Sequence, residues 1–508
     1  MGIDRPRLIY PTPTSIPRNQ KSRRVTLPPP IGGWNTRDDP VQMGPTDATH
    51  LVNFYPEIRD VSLRRGFIEH ATGVGSGNVD TVAEFFDGTT RKLVAASPTN
   101  IYDATSAGAA TSLAGSFTSG QWQTSMMNGV MGLVNGADAP QDFDGTTVGA
   151  MTISGVGTAS DLIGIHVYKS RSYFWKGGSP SFWYSAVDAL GGACTEFALG
   201  EVARRGGNLV AMTNWTVDGG SGVDDFAVFV MSSGEVLVYQ GSDPGSSSDW
   251  ALVGSYQIPV PLGRRAIQKV GAEIMVLTET DTVFLPSAFS QVSPPSTKLR
   301  GALELAGPTY RSNFGWDAVY YGLRNMLLLN IPVSTTTAEQ YVVNMETGAP
   351  ARFTGQNARA WTVYDSELYF GGTGDGIVYQ ADTGTNDDGS NISAAARQAW
   401  NDLGSPNNKK VESYRMVFSG TDDFSVGSEI AYDFVNATVN TATTTGGSGT
   451  PWGSPWGSPW SSASSVKGDW VLAEGYGQVL SPQVSISVEG ERPSWYRTDL
   501  MVSDAPNI

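Results

Sequence analysis

The sequence predicts an all-β fold, namely a β-propeller of six or seven blades with an extended N-terminal arm and a C-terminal β-sandwich-like domain. The chain of 508 residues contains 60 glycines and 29 prolines, which is typical of many turns between short strands. Short apolar runs are separated by Asp-Gly, Asn-Gly and Ser-Gly turns, which predict β-hairpins. Groups of three or four runs recur about every 45 to 60 residues, as expected of propeller blades. Because this period is loose, a large β-sandwich is the alternative.

Composition divides the chain into four segments and limits its chemistry. We expect a basic arm at 1–30, a lead-in segment at 31–78, the propeller at 79–410 and a β domain at 411–508. The formal charge of −16 disfavours non-specific binding of nucleic acid, which requires cations that neutralise phosphates. One cysteine and three histidines predict neither a disulfide framework nor a His/Cys metal site.

The sequence contains no run of about 18 apolar residues, so we expect no membrane span. The N-terminus also lacks the apolar core of a signal peptide. A soluble protein that is not exported by that route is therefore predicted.

The N-terminal arm is basic and rich in proline. Seven prolines within residues 1–30 prevent regular structure, and we predict an extended, partly polyproline-like arm that docks on a neighbouring subunit or an adaptor ring. A frayed terminus is the alternative. The arm has one acidic residue, Asp4, and six basic residues: Arg5, Arg7, Arg18, Lys21, Arg23 and Arg24.

The lead-in segment predicts one helical turn followed by one strand. Thr46 or Asp47 is suited to cap a helix that carries the apolar pair Leu51 and Val52, and Pro56 should end it. Val61 and Leu63 then alternate with polar residues in a strand that ends at RRGF.

The blade pattern begins at residue 79. Asp87-Gly88 predicts a hairpin, and the phrase FDGTT recurs at 143–147. Between the fifth and sixth units, RGALELAG predicts a short helix that crosses to the next blade. The later units are predicted at 161–186, 206–261, 263–286, 316–355 and 358–382.

Three features of the sequence invite a functional interpretation. His166 alternates with apolar residues on a strand and has no partner cluster, so we interpret it as structural. Cys194 has no nearby base and is interpreted as a small buried residue. Paired arginines at strand ends are expected to bridge acids on the next blade or subunit, with a channel-lining role as the alternative: Arg23-Arg24, Arg64-Arg65, Arg204-Arg205 and Arg264-Arg265.

Beyond the blades the pattern changes. The acidic stretch TGTNDDGSN lacks the spacing of a calcium loop, and residues 392–404 have helical or extended-edge spacing. Further strands predict a β-sandwich beside the propeller. Between them, the Trp/Gly/Pro loop at 445–465 carries Trp452, Trp456 and Trp460, which either fold back on their own domain or anchor a neighbouring copy or another protein.

No catalytic arrangement is found, so no catalytic, cofactor-binding or metal-binding residue is assigned and the protein is not expected to be an enzyme. The sequence contains no G-x-S-x-G elbow, H-E-x-x-H motif or P-loop, and no S-x-D-x-G-x-x-W box of the propeller sialidases. A carbohydrate-binding or hydrolysing propeller is the alternative, because carboxylates are plentiful and 14 tryptophans and 19 tyrosines could stack on sugars.

Two sets of residues resemble a known family. The lead-in segment follows the pattern GG-N-R-(D)-P … A-x-x-L-x-N-F-x-P … R-x-G-(F/Y) in IGGWNTRDDP, DATHLVNFYP and RRGF. The phrases GVDDFAVFVMSSGEVLVYQGSDP, WALVGSYQIPVPLGRRAIQKVG, LLLNIPV, YVVNMETGAPARFTG and LYFGGTGDGIVYQADTG then follow in order. Together they resemble β-propeller virion structural proteins of short-tailed bacteriophages, of the tail-nozzle or tail-tube type, from about residue 31 to 415.

The resemblance implies a position in the phage tail. A nozzle of this type is a homo-oligomer ring of six copies below the head-to-tail adaptor protein, made in the host bacterial cytoplasm and incorporated into the virion. Tail fibres or spikes attach to its flank, and phage DNA leaves through its lumen without specific binding. Another tail component, such as an adaptor, hub or receptor-binding protein, is the alternative within this class.

Overall fold

The computed structural model describes residues 22–218, 223–271, 273–285, 296–420, 424–439, 441–444 and 465–504. About 54% of the chain lies in strands and about 5% in helices. The prediction of an all-β protein is therefore confirmed. Most of the predicted arm and the loop at 445–464 that carries Trp452, Trp456 and Trp460 lie outside the described residues.

Seven antiparallel sheets follow one another along the chain, and we number them blades 1 to 7. Alternating apolar residues and tight turns produce their strands, as the sequence predicts. Blade 1 consists of Thr81–Phe86, Arg91–Ala96, Asn100–Asp103 and Thr111–Gly115. Blade 2 consists of Gln123–Met127, Val130–Val134, Gln141–Phe143 and Val148–Ala150. Blade 3 consists of Leu162–Tyr168, Arg171–Lys176, Ser181–Tyr184 and Thr195–Ala198.

Blades 4 to 6 continue this scheme, although blade 5 has three described strands. Blade 7 combines three strands from residues 358–383 with strands from residues 66–72 and 108–109. Blade 4 consists of Leu209–Asp218, Val223–Met231, Glu235–Gln240 and Ala251–Gln257, and blade 5 of Ile267–Val270, Glu273–Leu277 and Thr282–Leu285. Blade 6 consists of Asp317–Tyr321, Met326–Ile331, Glu339–Asn344 and Ala349–Phe353. Blade 7 consists of Ala358–Tyr364, Glu367–Gly372, Val378–Thr383, Gly66–Thr72 and Gly108–Ala109.

The sheets form a closed circuit. The first strand of each blade contacts the first strand of the next, and the first strand of blade 7 contacts that of blade 1. A circuit of radial antiparallel sheets around a common axis is a β-propeller. The predicted propeller fold is therefore confirmed.

The lead-in segment closes this circuit. Its strand Gly66–Thr72 pairs antiparallel with Val378–Thr383, so that Phe67 lies opposite Ala381. Phe67 also packs edge-on against Phe370 of the same blade. Blade 7 is thus held together by segments more than 300 positions apart in the chain, and the propeller closes without a covalent link.

The helical turn predicted in the lead-in segment is wrong. Asp47–Val52 is a strand that pairs with Ile392–Gln398, and short strands Phe54–Pro56 and Val61–Leu63 follow it. Leu51 is fully buried in this sheet. The gain from burying an apolar strand between two others exceeds the small preference of a capping residue for a helix start.

The helix predicted from RGALELAG is present as Arg300–Tyr310, directly after a 3-10 turn at Thr297–Leu299. Its buried face carries Ala302, Leu303 and Ala306, which pack beside blades 5 and 6. Further 3-10 turns lie at Ala159–Asp161, Leu199–Glu201 and Gly322–Arg324. A two-strand parallel pair, Ile153–Ser154 and Gly192–Ala193, joins the loops of blades 2 and 3.

A β-sandwich continues from blade 6. Its first sheet extends that blade through Val52, which pairs with Arg352. Residues 392–404, for which helical or extended spacing was expected, provide a strand in this sheet. The strands of the first sheet beyond blade 6 are Asp47–Val52 (with Gly33–Trp34 beside it), Ile392–Gln398, Leu480–Val488, Phe424–Tyr432 and Thr441–Thr444.

The second sheet of the sandwich brings residues 23–27 beside residues 498–502. Ser494–Asp504 pairs with Lys409–Gly420 on one side and with Arg23–Leu27 on the other. Its remaining strands are Phe54–Pro56, Val61–Leu63, Ser465–Lys467 and Val471–Gly477.

The sandwich and the propeller share one hydrophobic core. Val484 and Ile486 of the first sheet, together with Tyr414 and Leu500 of the second, belong to the same buried cluster as Phe370 of blade 7. The lead-in segment is divided between sandwich and blade 7, and the last strand of blade 7 ends at Thr383, because pairing partners lie far apart in the sequence.

Candidate functional site

The residues of the lead-in pattern form a buried polar junction between propeller and sandwich. Arg64, whose side chain is 1% exposed, donates from Nε to Asn53 Oδ1 at 2.9 Å. Its two terminal nitrogens donate to the two carboxylate oxygens of Asp387 at 2.8 and 2.5 Å. Nη2 also donates to the Thr354 carbonyl at 2.8 Å. A two-pronged pair with satisfied neighbours is a strong and directional contact.

Asn53 completes this junction because of an unusual backbone conformation. It adopts φ of +56°, which asparagine tolerates better than most residues. Its Nδ2 donates to Thr354 Oγ1 at 3.0 Å and to the Ser393 carbonyl at 2.7 Å, and its Oδ1 accepts from the Thr354 amide at 2.8 Å. One side chain thus ties the lead-in segment to the loop after blade 6 and to the sandwich.

A second part of the junction lies at the start of the lead-in segment. Asn35 donates to Asp47 Oδ2 at 2.8 Å, and Lys298 pairs with Asp47 Oδ1 at 2.7 Å. Thr36 donates to the Lys298 carbonyl at 2.7 Å. The glycine at the end of the pattern, Gly66, has no room for a side chain. We call the set Asn35, Asp47, Asn53, Arg64 and Asp387 the lead-in junction.

The axis of the propeller contains a cavity with a volume of about 500 Å³. First strands of all seven blades line it. Arg264 and Arg265 reach across it from the start of blade 5. Arg264 donates to the carbonyls of Ile163 and Gln121 at 2.9 and 2.6 Å, where the first strands of blades 3 and 2 begin.

Arg265 binds the neighbouring strand starts. It donates to the Asp80 and Trp122 carbonyls at 2.8 and 2.7 Å and to Thr81 Oγ1 at 2.8 Å. Burial lowers the pKa of Arg264 to about 9 and also lowers that of Arg265, although both guanidinium groups border the cavity. These two residues, which we call the axial arginine pair, cross-link blades 1, 2, 3 and 5.

A charged cluster surrounds the axial arginine pair. Arg265 and Arg359 each lie 5.1 Å from the ring centre of Phe314, and Arg359 pairs with Asp80 at 3.0 Å. Burial raises the pKa of Asp317 to about 6, against the opposing effect of Arg265. The two oxygens of Asp317 accept from the amides of Ala318 and Trp361 at 2.9 and 3.0 Å.

These contacts define what the axial cluster can do chemically. Both oxygens of Asp317 hold backbone amides, so this carboxyl anchors the first strands of blades 6 and 7 to each other. Asp80 is engaged by the side chain of Arg359 through one oxygen. The cluster is therefore suited to clamp the strand starts of the propeller together, and sequence spacing gives no sign of it because its charged members come from four blades.

The residues singled out by sequence lie in structural positions. His166 lines the axial cavity, and burial lowers the pKa of its imidazole to about 4. Cys194 is 8% exposed, and burial raises the pKa of its thiol to about 11, so the reactive thiolate is disfavoured. Both observations agree with the structural interpretation of these two residues.

The arginine pairs differ in their roles. Arg24 and Arg64 bridge acids, Asp499 and Asp387 respectively, whereas Arg264 and Arg265 lie at the axial cavity and bind backbone carbonyls of other blades. Sequence reasoning gave no role to Asn53 or Asp387. The only local signal for a structural role of Asn53 was its position in LVNFYP, where a polar residue stands among apolar residues.

The acidic stretch at 383–391 contributes to the junction. Asp387 within it is engaged by Arg64, and across the described ranges no group of three or more His, Cys, Asp or Glu is placed to hold a metal ion. In the same part of the chain, no helix has both the length and the hydrophobicity needed to cross a membrane.

Comparisons with known proteins were made for sequence and for structure. No protein-family model matches the chain, and no curated protein matches it significantly. Solved structures similar to it include the Cps50 (Swd1) β-propeller domain of Myceliophteria thermophila, with 10% identity, TM-score 0.42, and coverage of 63% of this chain and 99% of that one.

Two other solved structures are similar over comparable lengths. BBS1N in complex with ARL6DN has 10% identity, TM-score 0.40, and coverage of 64% of this chain and 99% of that one. An exo-β-1,3-galactanase from Phanerochaete chrysosporium has 8% identity, TM-score 0.29, and coverage of 75% and 95%. Likenesses this weak carry no argument about function, and the closed circuit of seven sheets supports the propeller assignment by itself.

Proposed function

We propose that this protein is a structural component of a short bacteriophage tail, most similar to the nozzle that forms the distal DNA-exit tube. The observation that carries the proposal is the lead-in junction. Asn53 and Arg64, which belong to the lead-in pattern that resembles phage nozzle proteins, join the loop after blade 6 to the sandwich. The shared pattern therefore has a structural role of the kind a tail component needs.

Rigidity supports the proposal. One sheet of ten strands runs from blade 6 into the sandwich, and a single core cluster spans both. Two bodies that share a sheet and a core resist hinge motion, because bending would break paired backbone groups. A stiff wedge is suited to a ring that must hold its shape while DNA passes.

The axial arginine pair bears on where DNA would pass. Its two side chains span one end of the propeller axis by hydrogen bonds to blades 1, 2 and 3. A conduit for DNA would therefore lie between copies, at the centre of a ring, and not along the axis of any one propeller. Residues 79–383 contain 28 acidic and 16 basic residues, an excess that disfavours adhesion of DNA to the wall.

The partners follow from this proposal. Heterologous contacts between identical copies close into a ring, for which the family resemblance suggests six copies. The head-to-tail adaptor protein would contact one face of the ring, tail fibres or spikes would contact its flank, and the location would be the phage tail.

The test is the assembly state and activity of the purified full chain. We expect rings in negative-stain electron microscopy and a matching mass in mass photometry. Glycan arrays and saccharide-cleavage assays should give no signal above a denatured control. A strictly monomeric protein that binds or cleaves saccharides would reverse the proposal in favour of the carbohydrate-active propeller.

A further inference from the structure

The second sheet of the sandwich carries three arginines around one carboxylate on its solvent face. Asp499 lies 2.8 Å from Arg24, 2.8 Å from Arg415 and 3.4 Å from Arg497. Thr26 donates to it at 2.7 Å. Burial opposes ionisation of Asp499, but the hydrogen bonds from Thr26, Arg24 and Arg415 outweigh it and hold its pKa well below the usual range.

This cluster is positively charged and accessible. One ionised carboxylate faces three guanidinium groups, so two positive charges remain. The side chains of Arg24 and Arg497 are 50% and 46% exposed, whereas that of Asp499 is fully buried. The cations and not the carboxylate therefore meet solvent, on a protein whose formal charge is −16.

Exposed apolar side chains surround the cluster. Arg415 lies over the ring of Trp470 at 5.1 Å. Their exposures are large for apolar or aromatic residues: Trp470 43%, Leu472 84%, Tyr476 58% and Tyr496 42%. We call these four residues, with Arg24, Arg415 and Arg497, the arginine–aromatic face.

Strand register places three residues of this face on one side of the sheet. Arg415 lies opposite Asp499, Leu472 lies opposite Ser413, and Tyr476 lies opposite Lys410. Neighbouring Val411 and Tyr414 are buried on the other side. Because strand residues alternate between faces and paired residues share one, Leu472, Tyr476 and Arg415 point to the same solvent face.

We propose that the arginine–aromatic face is a docking surface for the acidic propeller of a second copy of this chain. The proposal rests on the ring of copies proposed above and names the surface through which it forms. Trp, Tyr and Arg are the residues that contribute most to protein interfaces, and adjacent exposed apolar side chains indicate such a site. Charge complementarity favours the propeller as the occupant, because residues 79–383 hold 28 acidic against 16 basic residues.

The test introduces a negative charge without disturbing the ion pairs. Leu472→Asp alters the most exposed member of the face, and Leu305→Asp is the matched control, since Leu305 is 74% exposed on the helix. We expect the concentration for half-maximal assembly to rise at least about tenfold for Leu472→Asp. The control should assemble like the unmodified chain, and added salt should weaken assembly of both.

The measurement is mass photometry across a concentration series, with thermal unfolding of each variant to establish that it is folded. If Leu472→Asp is unstable, Tyr476→Ser serves as the second variant with the same expected direction. Unchanged assembly of folded face variants would overturn the proposed surface while leaving the ring intact. Equal loss in the Leu305→Asp control would also overturn it, and a wild-type chain that never assembles would remove both the ring and its surface.

Discussion

Arg359 of blade 7 places both Nε and Nη2 3.0 Å from a single oxygen of Asp80, at the start of blade 1. The two residues are separated by 279 positions in the chain, yet they meet where the circuit of blades closes. Arg265 binds the Asp80 carbonyl at the same point. Closure of the propeller thus depends on polar contacts at the axis as well as on the strand that the lead-in segment adds to blade 7.

Replacement of Arg265 should weaken the whole propeller. Arg265→Ala removes the donor for two carbonyls and one hydroxyl and leaves Asp317 without its nearby cation. We expect a loss of about 3 kcal/mol in the free energy of unfolding, measured by denaturant titration. Arg204→Ala is the matched control, because that side chain is exposed, and it should change stability by less than about 0.5 kcal/mol. Equal effects in the two variants would contradict the clamping role.

Gly66 should tolerate no side chain. A Cβ at this position would lie 1.6 Å from the Asn386 carbonyl oxygen, so strand Gly66–Thr72 would have to move away from the loop that contains Asn386. Gly66→Ala is therefore expected to lower the unfolding midpoint strongly and to increase proteolysis of the lead-in segment. At Gly77, where nothing lies within 4 Å of the added atom, Gly77→Ala should leave both measurements nearly unchanged. A stable Gly66→Ala variant would show that the close approach is not required.

The backbone conformation and the side chain of Asn53 should make separate contributions to the stability of the folded protein. Asn53→Ala combines a strained φ of +56° with loss of the hydrogen bonds to Arg64, Thr354 and Ser393. We expect it to cost about 3 kcal/mol in unfolding experiments. Asn53→Gly relieves the backbone strain only, so it should lose about 1 kcal/mol less. If Gly restored full stability, the side-chain network would have no energetic role.

Two partly buried histidines should make the protein sensitive to acid. Burial lowers the pKa of His50 and of His166 to about 4, below the value near 6.5 of an unfolded chain. As the pH falls through 6.5 the unfolded state takes up protons that the folded state refuses, so stability decreases between pH 6.5 and 4. At pH 5 each histidine should cost about 2 kcal/mol relative to pH 7.

The comparison that tests this uses His50→Gln and His166→Gln at both pH values. Each variant should lose less unfolding free energy between pH 7 and pH 5 than the wild type does. Asp317 has the opposite pH dependence, since its pKa is raised to about 6, but it is present in all three proteins and cancels. An identical pH dependence in wild type and variants would show that neither histidine is held neutral.

Local signals predicted most strands but not their partners. The predicted Asp87-Gly88 hairpin joins Thr81–Phe86 to Arg91–Ala96, because a tight turn is encoded by the residues within it. Asp47–Val52 was predicted as a helix from its capping residues and is a strand. Its conformation is imposed by Ile392–Gln398, and a local pattern contains no information about that neighbour.

The candidate sites show the same division. Arg264-Arg265 stands out in the sequence as a charged pair, yet the carbonyls that it binds lie on three other blades. The lead-in pattern is visible as a string of residues, but Asp387, which completes its junction, is more than 300 positions away. The arginine–aromatic face likewise combines Arg24 from one end of the chain with Arg497 from the other.

The sequence by itself determined the all-β class, the recurring blades, the crossing helix and the acidic character, because turns, alternation and charge are properties of neighbouring residues. Only the tertiary structure decided that the lead-in segment closes blade 7, that blade 6 extends into the sandwich and that two arginines span the axis. Those features arise from pairing and burial between distant segments, whose free energy exists only once the chain has folded.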